Sequence, residues 1–390
     1  MGVGDNIPSS CRGASVLCQC PGGNDPLDPL TWCESCAMGD CVPCPDLPVS
    51  LEPGVDTAAS FHFQEWRKGE TPKLNEKGER RVIFSLHETT LTVGEGVSLL
   101  KVKAKELSKH VFTSYNQWEA KRVTETSLSP GQVLIVDDYQ QNQTIELGAT
   151  PTSTVYGAKQ TNVMEFPLVA YWREQGKEAV SKATITFVSD DLLHDHQQVG
   201  RMEARAVEIL MDKTGLKFHT LFRFSDGCGA QFKSRFSTAD LVTAGERILK
   251  NKEAQVTFSY FASNEGKSES DTAGSAFKCR VESMCLRNPE LVILCAADLV
   301  REVNKLTPDS TNKYSFVVVE EFPVFTRVLP HLRAEVPISG IRKLHEIGYR
   351  AGGIRAKRLS CLTCLWQKEE CESCQRALRY GKRAPGKVSS

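Results

Sequence analysis

The 390-residue chain has no apolar run approaching the ~18–20 residues that a membrane span needs. Its most apolar stretch, LVILCAADLV from Leu291, already carries Asp298 and is expected to be a buried helix. The first residues, MGVGDNIPSS, have neither the basic nor the apolar region of a secretory leader, so an intracellular protein with no membrane partner is expected. Net charge is also missing. The 48 Lys and Arg balance 48 Asp and Glu, so bulk electrostatics selects no partner class. The distribution is uneven, however: residues 1–50 hold six acids and one base, Arg12, whereas residues 341–390 hold twelve bases and four acids. That second end suits contact with a polyanion.

Cysteine is abundant, and 15 of them in an intracellular chain favour metal ligation over disulfides. Near the start, Cys33, Cys36, Cys41 and Cys44 form two C-x2-C hooks, the device that turns paired thiolates toward one tetrahedral zinc, with Cys11, Cys18 and Cys20 as further ligand candidates. Near the end, Cys361, Cys364, Cys371 and Cys374 repeat the pattern with a roomier gap, and a structural Zn²⁺ held by four sulfurs is expected there. Arg355, Lys357 and Arg358 beside it are candidates for gripping phosphates. Cys228, Cys279, Cys285 and Cys295 are scattered and read as small buried hydrophobes.

The pattern divides the chain into a Cys-rich segment (1–50), a mixed helix and strand segment (51–130), a central α/β core (131–288), a helix and strand extension (289–354) and a basic, four-cysteine zinc-type module (355–390). In the central part, VLIVDD, NVMEFPLVAYW and KATITFVSDD read as three strands, followed by a helix over HDHQQVGRMEARAVEILMDKTG. KFHTLFRFSDG, DLVTAGERILK, QVTFSYFA and DTAGSAFKCRVESMCL then alternate strand, helix, strand, helix. A helix over PELVILCAADLVREVNKL and a strand over KYSFVVVEEF close the pattern. Three strands followed by strand–helix alternation is a mixed sheet with crossover helices, the element order of the ribonuclease-H-like fold.

Acids fall where that order is informative. Asp138 ends the first strand, Asp226 ends the fourth, and Asp271 opens the helix after the fifth. Phosphodiester chemistry with two divalent ions roughly 3.5–4 Å apart needs several converging carboxylates, because Mg²⁺ or Mn²⁺ takes hard oxygen ligands. Asp137 is excluded from the set by strand alternation, which points it to the opposite face. Glu265, Glu269 and Glu282 compete with Asp271 for the third place, since Asp at a helix start is also what capping asks for. The cluster Asp190, Asp191, His194, Asp195 and His196 reads as a polar loop with a helix cap.

The strings Asp138-Tyr139-Gln140-Gln141-Asn142, SDGCGAQFKSR and GKSESDTAGSAFK together resemble transposon-derived, ribonuclease-H-like transposase-like proteins of eukaryotes. The resemblance spans about Val133 to Lys278 and implies Asp138, Asp226 and Asp271 as an acid triad for Mg²⁺ or Mn²⁺. It also implies structural or substrate-contact roles for Asn142, Gln231 and Lys233. Many members carry Glu where this chain has Gln141. DNA and further copies of the chain are the partners implied, with the nucleus as the expected place of action. Two functions follow as expectations: a metal-dependent polynucleotidyl transferase or nuclease, or a domesticated scaffold that keeps the fold and binds nucleic acid or protein without the chemistry.

Overall fold

The computed structural model of the chain describes residues 34–38, 51–74, 80–145, 161–229, 231–262, 269–288, 290–306, 315–327, 340–350, 353–367, 371, 374 and 379–380. No helix among the described residues is long and apolar enough to cross a membrane. The chain forms two compact units, Met1–Phe112 and Thr113–Ser390.

The first unit contains a single helical turn, α1 (Glu34–Ala37), and a long antiparallel ribbon of β1 (Ser60–Leu74) and β2 (Arg80–Thr92). Within the mixed helix and strand segment, RRVIFSLHET falls in β2, whose pattern is the more regular of the two strands. Helix α2 (Val93–Ser127) begins in this unit, its first turn closed by Glu95, which accepts from the Thr92 backbone at 2.8 Å. From Thr113 onward the helix belongs to the second unit. Of the N-terminal cysteines, Cys36 lies on α1, while Cys11, Cys18, Cys20, Cys33, Cys41 and Cys44 lie outside the described residues.

The second unit is mixed α/β. Its strands are β3 (Gln132–Asp137), β4 (Gln143–Ile145), β5 (Thr161–Trp172), β6 (Ser181–Ser189), β7 (Thr220–Ser225), β8 (Gln255–Tyr260), β9 (Ser315–Glu321), β10 (Glu346–Arg350), β11 (Gly353–Lys357) and β12 (Arg379–Tyr380). The helices are α3 (His196–Thr214), α4 (Arg235–Leu249), α5 (Glu269–Arg287), α6 (Ala296–Leu306) and α7 (Leu362–Gln367). The sheet runs β12-β11-β10-β8-β7-β3-β5-β6-β9, with β4 added beside β5. Strands β3, β7 and β8 are mutually parallel, and β5 is antiparallel to both β3 and β6.

Central strands covered on both faces should be apolar without alternation, and β5 is buried at every position from Val163 to Trp172. One face, with Val133, Ile135, Phe166 and Leu168, packs under α3 and α4 through Met202, Val207, Leu241 and Ile248. The other, with Leu134, Val136, Val169 and Tyr171, meets Ala120 of α2 and Leu362 and Leu365 of α7. The turn Ser129-Pro130-Gly131 launches β3, and Gly131 adopts φ 82°, where a side chain would be strained.

Three departures from expectation have local causes. The helix over PELVILCAADLV starts only at Ala296, because the Asp190 carboxylate accepts from the Ala296 N–H at 2.8 Å and Asp298 accepts from the Leu294 N–H at 3.1 Å, fixing the N-terminus there. The basic region before the last cysteines, expected as part of an extension and a zinc-type module, joins the central sheet: β10 adds antiparallel to β8, and β11 to β10. Of the four scattered cysteines, Cys285 is buried, Cys228 and Cys295 are half-buried, and Cys279 is exposed, so the last is no core residue.

Asp137 occupies the face opposite Asp138 and is buried. There it meets Glu203 and Arg223, whose Nη1 donates to Glu203 at 2.9 Å while its guanidinium stacks 3.5 Å over the Phe258 ring. Burial, and then the Glu203 charge, push the Asp137 carboxyl well above the ordinary range. Arg223→Met, which strands Glu203, is expected to cost about 3–5 kcal/mol, read as a lower urea midpoint at unchanged m-value, with Glu203→Gln added to the same chain restoring part of it.

Candidate active site

Strands β3 and β7 run parallel in register, with Asp137 beside Ser225. The next residue of each, Asp138 and Asp226, therefore leaves the sheet side by side. Each carboxylate is fixed by its neighbour's backbone: Asp138 Oδ1 accepts from Tyr139 N at 2.8 Å, and Asp226 Oδ1 from Gly227 N at 2.6 Å. The third acid comes from the first turn of α5, where Asp271 Oδ1 accepts from Gln140 Nε2 at 3.2 Å.

The three acids lie within range of one another's charge. Burial, and then repulsion by Asp226 and Asp271, push the Asp138 carboxyl up to about 7. Asp226 is raised by burial and by Asp271, against the pull of its Gly227 N–H and of Lys233. A cluster of this kind lacks positive charge at its centre. Lys233 supplies part of it: the side chain is buried, its ammonium lies 5.3 Å from the Tyr260 ring centroid, and burial lowers it to about 8 although Asp226 pulls the other way. Gln231 is half-buried in the same turn.

The competitors for the third place fall away on position. Glu269 is ion-paired with Lys121 of α2. Glu282 is exposed, eleven residues further along α5 than Asp271, and Glu265 lies outside the described residues. Helix α5 can bring Asp271 close because residue 274 is glycine: a Cβ there would fall 2.5 Å from Gln140 Cγ, the side chain that holds Asp271. Gly274→Ala is expected to displace the Gln140 amide and weaken divalent-cation binding at the cluster about 10-fold, measured by titration calorimetry, with a smaller loss of overall stability.

Of the structural or substrate-contact roles that the resemblance implies for Asn142, its contacts describe a structural one. Its Nδ2 donates to Leu192 O at 3.3 Å and its Oδ1 lies 2.7 Å from His194 Nε2. His194 in turn stacks on Tyr139 at 4.3 Å, and the Tyr139 hydroxyl donates to Gln198 Oε1 at 2.8 Å. Asn142 thus braces the strand end that carries Asp138. The neighbouring acids are also committed: Asp195 caps α3, and Arg327 pairs with Asp191 at 2.7 Å and with Asp195.

One acid escaped the reading of the sequence. Glu165, in β5, is fully buried, and neither of its carboxylate oxygens has a hydrogen-bond partner. Its backbone carbonyl accepts from Gln140 N at 3.2 Å, which places it across from that residue on the carboxylate face. Burial raises it to about 7, partly offset by Lys278. The signal was present: it is the single charged residue within NVMEFPLVAYW.

A second centre lies near the C-terminus. The sulfurs of Cys361, Cys364, Cys371 and Cys374 all lie within 4.8 Å of one another, and Cys361 Sγ is 3.7 Å from Cys371 Sγ. A tetrahedral ion with Zn–S bonds of about 2.3 Å separates its sulfurs by about 3.8 Å. The Cys371 N–H also donates to Cys364 Sγ at 3.3 Å, as a thiolate would require. Four sulfurs this close can bind a metal such as zinc. Lys357, counted above among phosphate grips, is instead paired with Glu346 at 2.9 Å.

Residues 117–360 match the model of a family described as a domain of unknown function (DUF8701). No curated protein matches the chain.

Proposed function

The chain belongs to the DUF8701 family, and we propose that it is a metal-dependent, ribonuclease-H-like polynucleotidyl transferase or nuclease acting on DNA, of transposase-like type. The observation that carries the reading is the parallel register of β3 and β7, which sends Asp138 and Asp226 off the sheet side by side, with Asp271 tied to the same strand end through Gln140. Supporting it, β3, β5, β6, α3, β7, α4, β8 and α5 follow one another in the order expected for such a fold. The donor set fits Mg²⁺ or Mn²⁺, being oxygen-only and charged. Asp138, which feels the charge of both other acids, would share its carboxylate, and Asp226 and Asp271 would each hold one side. Bound there, the ions would activate a water or hydroxyl and stabilise the leaving oxyanion. The chain's own residues do the rest. The sheet fixes two carboxylates rigidly, Gln140 orients the third, and Lys233 places positive charge beside Asp226 where a phosphoryl oxygen would lie.

The four-cysteine site is structural in this reading, since four sulfurs leave no open position. Nicking of a labelled duplex by the purified protein tests the proposal. Cleavage is expected with Mg²⁺ or Mn²⁺ and is expected to fall at least ~10³-fold in Asp226→Asn. Binding of DNA without any divalent-dependent cleavage, unchanged by Asp226→Asn, would instead identify a domesticated scaffold.

A further inference from the structure

Beside the carboxylates a groove of about 480 Å³ runs between the β4 segment and the outer side of α5. That volume lies within the usual range for a site holding one small organic ligand. Lys278 lies at its near end, seven residues and so about 10 Å along the helix from Asp271, on the same face. Its ammonium donates to Gln141 O at 3.2 Å, a carbonyl contact that leaves its charge unneutralised by any ion pair among the described residues. On the strand side Gln143 lines the groove, and its Oε1 is buried with no hydrogen-bond partner. A buried acceptor left in this state is costly unless a ligand supplies the donor. Along the far wall Leu286, 70% exposed, offers apolar surface over the buried Val281 and Cys285, with the exposed Glu282 on the same helix.

A cation, an unsatisfied amide oxygen and an apolar wall are the complements of a phosphate, a base edge and a base face. We infer that this groove seats one unpaired nucleotide of the substrate strand, next to the phosphate held at the carboxylates. This inference rests on the function proposed above and deepens it. Lys278 takes the nucleotide's phosphate, Gln143 Oε1 accepts from an amino or imino group on the base edge, and Leu286 covers one face. A base within a duplex has its edge paired and both faces stacked, so only an unstacked base can fit. The site therefore prefers DNA that is single-stranded or flipped out beside the reacting phosphate.

Binding in Ca²⁺ of two labelled DNAs tests this: a continuous duplex, and the same duplex with a short single-stranded gap. Wild-type protein is expected to bind the gapped DNA about 10-fold more tightly. Leu286→Asp, at an exposed position, should abolish that preference while leaving duplex affinity unchanged. Lys278→Met should do the same and lower the salt slope on gapped DNA by about one phosphate. Equal affinity of wild type for both DNAs, or a preference that survives both substitutions, overturns the groove while leaving the carboxylate site standing. Failure to bind either DNA overturns the function and the groove together.

Discussion

Asp138→Asn is expected to make the metal-free protein more stable and to remove its response to divalent cations. Asp138 carries a carboxyl raised from an ordinary value of 3.8 to about 7, first by burial and then by Asp226 and Asp271. A folded state that holds a proton up to about 7, against an unfolded state that releases it near 4, loses stability as pH rises through that window. At pH 8 the native protein therefore tolerates repelling carboxylates that the amide would relieve. The gain should be on the order of 1–3 kcal/mol, seen as a few degrees in midpoint. Between pH 5 and 8 the wild type should weaken more steeply than Asp138→Asn; Glu165, also raised to about 7, contributes the slope that remains in the variant. Cations reverse the order. At about 100 times its dissociation constant, Mn²⁺ should stabilise wild type by about 2.7 kcal/mol and the variant far less. A variant that keeps the full Mn²⁺ shift would show that the cation binds elsewhere.

The second large effect concerns the cysteines. Zinc-replete protein should contain one ion at Cys361, Cys364, Cys371 and Cys374, counted by native mass spectrometry. Chelation, or Cys364→Ser, should lower the thermal midpoint by roughly 10 °C or more, since metal sites of this kind contribute about 10–16 kcal/mol of binding free energy to the fold they close. From sequence, the four-cysteine module reads as a separate segment after the central α/β core. In the structure Leu362 and Leu365 pack on the core with Leu134 and Val136, and the Ser360 N–H donates to Gln117 Oε1 at 2.9 Å. Hydrogen exchange should therefore rise from β10 to α7 on zinc removal, while β3 and β7 stay protected. Unchanged exchange, or cooperative loss of the whole sheet, would each count against this division.

Much of the core was legible because its signals are local. Apolar runs that end in acid gave β3 and β7, and their parallel register then brings Asp138 beside Asp226. The convergence of Asp271 depended on Gly274, whose meaning appears only when Gln140 lies against it. Strands β10 and β11 were hidden for a different reason. EIGYR and GIRAK are short runs without a clean alternation, and they are strands because β8 offers an edge to β10 and β10 offers one to β11. Arg223 and Glu203 were unreadable as a pair, being twenty residues apart on a strand and a helix. For Asn142 the resemblance left a structural and a substrate-contact role open, and its bonds to Leu192 and His194 supply the structural one.

Gln117 has a consequence for how the chain matures. Fully buried, it donates to Tyr260 O and His345 O at 3.0 Å each and accepts from Ser360 N, partners separated from it by 143, 228 and 243 residues. During synthesis, β3, β7 and β8 can pair as they leave the ribosome, but the outer edge of β8 must wait for β10. Until then a nascent chain presents an open strand edge able to recruit a neighbouring polypeptide. A metal at the cysteine cluster would help hold β10 and β11 on that edge, so zinc shortage during translation should appear first as insoluble newly made protein.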